Sequence, residues 1–275
     1  MNEAGATTFI GIATLAAQPS GAAVGVVDDA PEASAVLLGK RVLVPAIDAC
    51  GQCDVCRRGG AAVCPLATRR EPGKRIRANA RWVVALGDGL ELPVPAAAAV
   101  AGDVATAYTM YARTGLGPRE PAVITGATAV TRFLVEILRA KDITPTVIAE
   151  RGAFTDWALA KGCAVVEPSR DEAAIRDAVQ ATIAAQGMGT RPLRLLATGA
   201  VEIAAALAGP RATLTILAPV PALPGDLMRD EVTIIGVAGP HPDLIVEAAA
   251  MCVKGEIDLA GGVGDGPAQA RVDMF

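Results

Sequence analysis

Four cysteines, Cys50, Cys53, Cys56 and Cys64, fall within fifteen positions in the spacing C-x2-C-x2-C-x7-C. Thiolate sulfur is a preferred ligand of borderline-soft divalent cations, and four of them close a tetrahedral shell around Zn²⁺ with Zn–S distances of about 2.3 Å. The two-residue gaps let the chain turn tightly round one ion. A closed shell leaves no position for water or substrate, so such a metal would hold structure together and perform no chemistry. An iron–sulfur cluster also takes four cysteines, but its bacterial-type run closes C-x3-C-P, whereas the last gap here is seven residues, with Pro65 after Cys64. Four free thiols are the metal-free alternative, an arrangement that invites oxidation. The spacing therefore points to one structural zinc ion per chain. Four thiolates leave the site negative, and Lys40, Arg41, Arg57 and Arg58 flank it in sequence and could offset that charge.

A second candidate site is the turn Thr125-Gly126-Ala127-Thr128-Ala129-Val130, which joins an apolar run to an amphipathic stretch. Backbone N–H groups at such a strand-to-helix turn can hold a pyrophosphate. A full G-x-G-x-x-G would place glycines at Gly126 and at the positions of Thr128 and Thr131, and only the first is present. Glu150 stands 24 residues after Gly126, where an acid could accept from a ribose 2′-hydroxyl, and Arg151 beside it could face a 2′-phosphate. An ion pair at a solvated strand end explains the same two residues without a ligand. His241, between Pro240 and Pro242, reads as a solvent-facing helix start, and Cys163 and Cys252 read as buried core thiols. The run Arg69, Arg70, Lys74, Arg75, Arg77 and Arg81 is either a solvated loop or a grip for the phosphates of coenzyme A.

The elements that must position these residues follow from periodicity. Short apolar runs at Ala122 to Thr125, Thr146 to Ala149, Ala164 to Val166, Leu193 to Ala197, Thr213 to Leu217 and Val232 to Val237 read as strands. Helices are predicted at Ala127 to Ala140, Phe154 to Lys161, Asp171 to Ala185, Val201 to Leu207 and Pro242 to Val253. Alternation of this kind requires right-handed crossovers and hence a doubly wound parallel sheet, a Rossmann-like α/β fold. The composition agrees: 52% hydrophobic but 3% aromatic, so the core is built from Ala, Val, Leu and Ile. The predicted division is a β-rich part over 1–100 with the cysteine lobe at about 48–66, a Rossmann-like domain over 101–256 and a tail over 257–275.

Composition also excludes function classes. Charge is nearly balanced, with 25 Lys plus Arg against 29 Asp plus Glu, which argues against nucleic acid as a partner. No run approaches the roughly 18 apolar residues of a membrane span. The N-terminus carries Glu3 where a secretory signal would be basic, so no signal peptide is expected. Clustered cysteines point to metal in a reducing cytoplasm.

The segment Gly39-Lys40-Arg41-Val42-Leu43-Val44-Pro45, the four-cysteine lobe, Tyr108 before Gly115-Leu116, and the strand–turn–helix from Ala122 occur in the order used by the medium-chain dehydrogenases and reductases, the zinc-containing alcohol dehydrogenase family. The chain resembles that family from about Val24 to Glu256. Val44-Pro45-Ala46 before Cys50, with the Tyr108 region, looks most like its dehydrogenases of alicyclic hydroxyacyl-CoA esters, such as 6-hydroxycyclohex-1-ene-1-carbonyl-CoA dehydrogenase. The resemblance implies a β-rich, GroES-like domain carrying the cysteine lobe, a Rossmann domain for NAD(H) or NADP(H), and a second, catalytic zinc. Here the departures matter. No cysteine precedes Cys50, Gly25-Val26-Val27 stands where a Gly-His-Glu motif should lead into its strand, and the third ligand position falls on Gly102 with Asp103 beside it. The chain also reads as shorter than the family. The expectation is a degenerate relative, a pseudoenzyme with structural zinc retained and catalytic zinc lost. It would serve as a homo-oligomeric scaffold or as a subunit of a complex with a dehydrogenase or acyl-CoA enzyme. The alternative is a zinc-independent, NAD(P)-dependent oxidoreductase acting on an alcohol, carbonyl or hydroxyacyl-CoA substrate.

Overall fold

The computed structural model describes residues 8–58, 60–87, 90–189, 193–217 and 226–259. Of the C-terminal tail named from the sequence, residues 260–275 lie outside them, as do the first seven residues. Among the described residues, contacts divide the chain into two compact units, 8–109 with 238–259, and 110–237. Among the described residues no helix is long and apolar enough to cross a membrane.

The first unit is built on an antiparallel sheet of β1 (Phe9–Ala17), β2 (Ala23–Asp29), β3 (Arg41–Val44), β6 (Arg75–Asn79) and β7 (Val84–Ala85), in the order β6-β1-β2-β3-β7. Ile10 and Ile12 alternate inward along β1 and meet Val27, Val42, Val44, Ile76 and Ala78, which is the period-two pattern of a half-buried sheet. The apolar stretch at Phe9 is thus a strand. Two short strands, β4 (Ile47–Asp48) and β5 (Thr68–Arg69), pair antiparallel and clamp the two ends of the cysteine segment, which contains the single helical turn α1 (Asp54–Arg57).

A continuous helical run follows: α2 (Val94–Ala99), a π-helical turn at Val100–Val104, and α3 (Ala105–Thr114). Ala96 to Gly102 are all buried, because small side chains let the run lie close to the sheet. The last helix of the chain, α9 (Pro242–Val253), packs on the π-turn and on β7. By sequence order it follows the Rossmann half. Its buried face of Ile245, Ala248, Ala249, Met251 and Cys252 joins the first unit.

The second unit is a six-stranded parallel sheet in the order β10-β9-β8-β11-β12-β13. The strands are β8 (Ala122–Thr125), β9 (Thr146–Ile148), β10 (Ala164–Val166), β11 (Arg194–Ala197), β12 (Thr213–Ile216) and β13 (Thr233–Gly236). The connecting helices are α4 (Ala129–Ala140), α5 (Ala153–Ala160), α6 (Glu172–Ala185), α7 (Val201–Leu207) and α8 (Asp226–Arg229). Order reverses between β8 and β11, the switch point of a doubly wound fold. Residues of β8 and β12 are buried without alternation, since both faces are covered, whereas β13 is an exposed edge. Helix α4 starts two residues later than periodicity predicts, because Thr128 spends its side chain capping the helix instead of continuing it.

Gly25 shows how tightly the first sheet is packed. A Cβ there would lie 2.5 Å from both the Ala13 carbonyl oxygen and Ile12 Cγ2, so the backbone of β1 would have to move. We expect Gly25→Ala to lower the thermal midpoint in a melt followed by circular dichroism, by about 1–3 kcal/mol in stability, with the native far-UV spectrum retained. An unchanged midpoint would show that the strand pair has slack at this point.

Candidate metal centre and nucleotide turn

The four cysteines named from the sequence converge: one sulfur from each of Cys50, Cys53, Cys56 and Cys64 lies within 4.8 Å of the others. Sulfur separations are 3.9 Å for Cys50–Cys56, 3.8 Å for Cys53–Cys64 and 3.6 Å for Cys50–Cys64. Four thiolates held tetrahedrally at zinc distance stand about 3.8 Å apart, while a disulfide needs about 2.05 Å. The donor set and its spacing therefore fit a single tetrahedral cation.

Local chain geometry explains the convergence. Gly51 takes a left-handed φ of 75°, which turns the chain after Cys50, and Cys53 caps α1 through its sulfur, accepting from the Cys56 N–H at 3.4 Å. The amides of Cys53 and Leu66 donate to the Cys50 and Cys64 sulfurs, each at 3.4 Å. These are the contacts that a thiolate needs. The N–H groups of Gln52 and Cys53 hold the Cys50 thiol well below its ordinary pKa, at about 6. Burial pushes the Cys56 thiol up to about 12. A bound cation would reverse the second effect and make all four sulfurs anionic.

The lobe is braced by residues far along the sequence. Trp82 Nε1 and Asn79 Nδ2 both donate to the Ala49 carbonyl, at 2.9 and 3.0 Å, and an Arg81 guanidinium N–H donates to the Gly51 carbonyl at 2.6 Å. Arg70, nearly buried, faces Asp48 at 3.5 Å. Of the cations flanking the lobe in sequence, Arg57 is turned to Asp54 instead. The basic run has the same character throughout. Arg69 donates to the Ser20 carbonyl, Arg75 pairs with Asp28, and Arg77 stacks on the Phe9 ring at 4.2 Å. Its arginines are engaged with the protein's own groups.

The positions implied for a catalytic zinc carry no comparable set. Gly102 offers no donor, and a Cβ there would lie 2.0 Å from Gln18 Oε1, so the Gln18 carboxamide already fills the space. Gln18 Nε2 donates to Asp103 Oδ2 at 3.1 Å, and burial raises the Asp103 carboxyl above the ordinary carboxylate range. His241 caps the start of α9, with its backbone N–H on Thr109 Oγ1 at 2.9 Å and its ring Nδ1 3.7 Å from Asp243. Among the described residues the four cysteines are the one group of three or more side chains able to hold a metal. A second, catalytic ion does not fit these residues. Cys163 and Cys252 are buried, and burial lifts their thiols to about 11 and about 12.

In the second unit Gly126 sits at the β8–α4 turn with φ 101°. Thr128 caps α4 reciprocally with Thr131, and Thr131 Oγ1 lies 2.6 Å from Thr198 Oγ1. Hydroxyl-bearing side chains thus stand where a dinucleotide fingerprint has bare backbone. Glu150 is exposed two residues beyond β9, and Arg151 next to it pairs with the Glu167 carboxylate. Thr198 was not singled out by sequence, since it lies on another loop 67 residues from Thr131.

No known family profile and no curated protein sequence matches this chain. Solved structures do. The chain is similar to galactitol-1-phosphate dehydrogenase from Escherichia coli, with TM-score 0.75 and 17% identity over 92% of this chain and 83% of that one. It is similar to the D-arabinose dehydrogenase from Sulfolobus solfataricus, with TM-score 0.74 and 17% identity over 92% of this chain and 89% of that one. The alcohol dehydrogenase TADH from Thermus sp. ATN1 gives TM-score 0.74 and 16% identity over 92% and 83%. The chain has the fold of these alcohol and sugar dehydrogenases: a Rossmann-like parallel sheet and an antiparallel sheet, here with a four-cysteine lobe.

Asp103 gives this region a pH signature. Its carboxyl is raised in the folded state, so the folded chain binds the proton more tightly than the unfolded chain. The contribution is present at low pH and is lost as pH rises through the folded-state value. Asp103→Asn keeps the shape and removes that titration. Relative to the native chain, the variant is expected to gain stability as pH rises from the ordinary carboxylate value through the raised folded-state value, and to keep that gain above it. Parallel stability-versus-pH curves in urea melts would show that Asp103 is not desolvated.

Proposed function

We propose that this chain keeps the alcohol dehydrogenase scaffold with one structural zinc at Cys50, Cys53, Cys56 and Cys64, lacks a catalytic metal, and acts as a non-catalytic, scaffold or partner subunit. The observation that carries the reading is Gln18 seated against Gly102. The place of a metal ligand is taken by a carboxamide hydrogen-bonded within the protein. A shell of four sulfurs supports structure only, because it offers no site for an oxygen ligand. The partner is a second copy of this chain, or a dehydrogenase or acyl-CoA enzyme. The exposed edge strand β13 supports assembly, since unpaired edge N–H and C=O groups readily add a strand.

A second reading is a zinc-independent, NAD(P)-dependent oxidoreductase acting on an alcohol, carbonyl or hydroxyacyl-CoA ester. The buried Asp103 carboxyl favours it, as burial raises it above the ordinary carboxylate range, toward where a carboxyl can serve as a general acid. Glu150, exposed beyond β9, could meet a ribose hydroxyl, and Gly126 and Arg151 could complete such a site.

Elemental analysis of the purified chain is expected to find one zinc per polypeptide. Cys56→Ser should release it and change the fluorescence of Trp82, whose indole packs in the lobe. Two zincs, or none with paired cystines, would overturn the metal assignment. The zinc-loaded chain is further expected to show no turnover of alcohols, aldehydes or hydroxyacyl-CoA esters with NAD(H) or NADP(H). Native mass spectrometry should show it as an oligomer. Substrate-dependent NAD(P)H formation by a single-zinc sample would establish the second reading instead.

A further inference from the structure

We propose that Arg81 prepares the four-cysteine centre for its cation: the guanidinium polarises the peptide between Gly51 and Gln52, and that peptide passes the polarisation to the Cys50 sulfur. Such a role rests on the structural zinc assignment at the same four cysteines.

A peptide bond is planar and trans, so the Gly51 carbonyl and the Gln52 N–H point in opposite directions from one conjugated unit. On the carbonyl side an Arg81 guanidinium N–H donates to the Gly51 oxygen at 2.6 Å. On the amide side the Gln52 N–H donates to the Cys50 sulfur at 3.5 Å. The groups form one line, cation to carbonyl to amide to thiolate, in which a charged donor at one end strengthens the hydrogen bond at the other. A neighbouring sulfur lacks such a charged end. The Cys56 N–H that donates to the Cys53 sulfur belongs to a peptide whose carbonyl, that of Val55, accepts from the neutral Gly60 N–H at 2.8 Å. The Ala49 carbonyl is likewise met by the neutral donors of Trp82 and Asn79.

Arg81 is held for this contact at both ends. Its backbone N–H donates to Asn79 Oδ1 at 3.1 Å, and its guanidinium lies over the Trp82 ring, 4.9 Å from the centroid. A Cβ on Gly51 would stand 3.5 Å from Arg81 Cδ and 3.1 Å from Asn79 Nδ2, so the arginine stem runs against the turn whose carbonyl it serves. Other arginines near the lobe are engaged elsewhere, Arg57 with Asp54 and Arg70 with Asp48. Among the described residues the Arg81 head meets a carbonyl and an indole ring but no carboxylate, so its charge is left to act on the thiolates. Four thiolates round one divalent ion are net negative, and a cation coupled to Cys50 through a single peptide offsets part of that charge.

The test uses the full chain loaded with Co²⁺, whose sulfur-to-metal charge-transfer band reports the energy of the thiolate lone pairs. Arg81→Gln keeps a donor and removes the charge, Arg81→Lys keeps the charge, and Trp82→Phe removes a neutral brace. Competition with a chromophoric chelator is expected to show metal affinity about tenfold weaker in Arg81→Gln and within about threefold of native in Arg81→Lys. The charge-transfer band of Arg81→Gln should move to longer wavelength, because a less polarised amide leaves the sulfur lone pairs higher in energy. Arg81→Lys and Trp82→Phe should keep the native band. Arg81→Met, which retains the stem against Gly51, is read in the same way if Arg81→Gln does not fold. Native affinity and a native band in the uncharged variant overturn the proposal. So does weaker affinity with the band in place, or an equal loss in Arg81→Lys, since either makes Arg81 a packing brace alone. A native chain that takes up no Co²⁺ overturns the metal assignment and this role with it.

Discussion

The cysteine lobe of the first unit hangs on bringing four sulfurs to one point. The apolar contribution of the lobe is small, a cluster of Ala49, Cys56, Ala61, Cys64 and Trp82, too little burial to hold an irregular segment by itself. The lobe therefore relies on converging donors and on outside braces. Backbone amides point at sulfur, while Trp82, Asn79, Arg81 and Arg70 seize the segment's carbonyls and Asp48 from the following strand and turn. These contacts suit a site for a divalent cation, in which a bound ion would supply the cohesion that a larger core would otherwise give.

The second unit is held by the opposite means. Its parallel strands are buried on both faces, and Val123, Leu195 and Leu214 sit wholly inside the sheet core with helices α6 and α7 against them. Such a sheet is stable without any ligand. The switch point between β8 and β11 is where a doubly wound fold ordinarily opens to a cofactor. In this chain it is the place where polar side chains from two loops meet each other.

What could be read from the sequence is what depends on neighbours along the chain. The C-x2-C gaps and the following Cys64 gave the ligand cluster, and the alternating periods located the six parallel strands and helices α4 to α7 and α9 to within two residues, while the single turn α8 and helix α3 were not predicted. The retained Gly126 was visible too, though its reason was not. What escaped is contact between distant segments. Gln18 reaches Gly102 and Asp103 across 84 and 85 positions, Thr198 meets Thr131 across 67, and α9 packs on the π-turn and β7. The surroundings of the basic run were hidden for a related reason. Charge counts say that arginines cluster, and only the fold shows that Asp28, Asp48, Ser20 and the Phe9 ring take them up.

The return of α9 to the first unit makes that unit discontinuous, with the parallel sheet inserted between its two parts. During synthesis the inserted sheet emerges as one unbroken stretch and can fold as soon as β13 leaves the ribosome. The π-turn and β7, by contrast, wait for Pro242 and the residues after it before their apolar surface is covered. β7 and the π-turn are thus completed only after the parallel sheet. In that interval the half-formed antiparallel unit is the aggregation-prone species, and a chaperone would find its binding surface there.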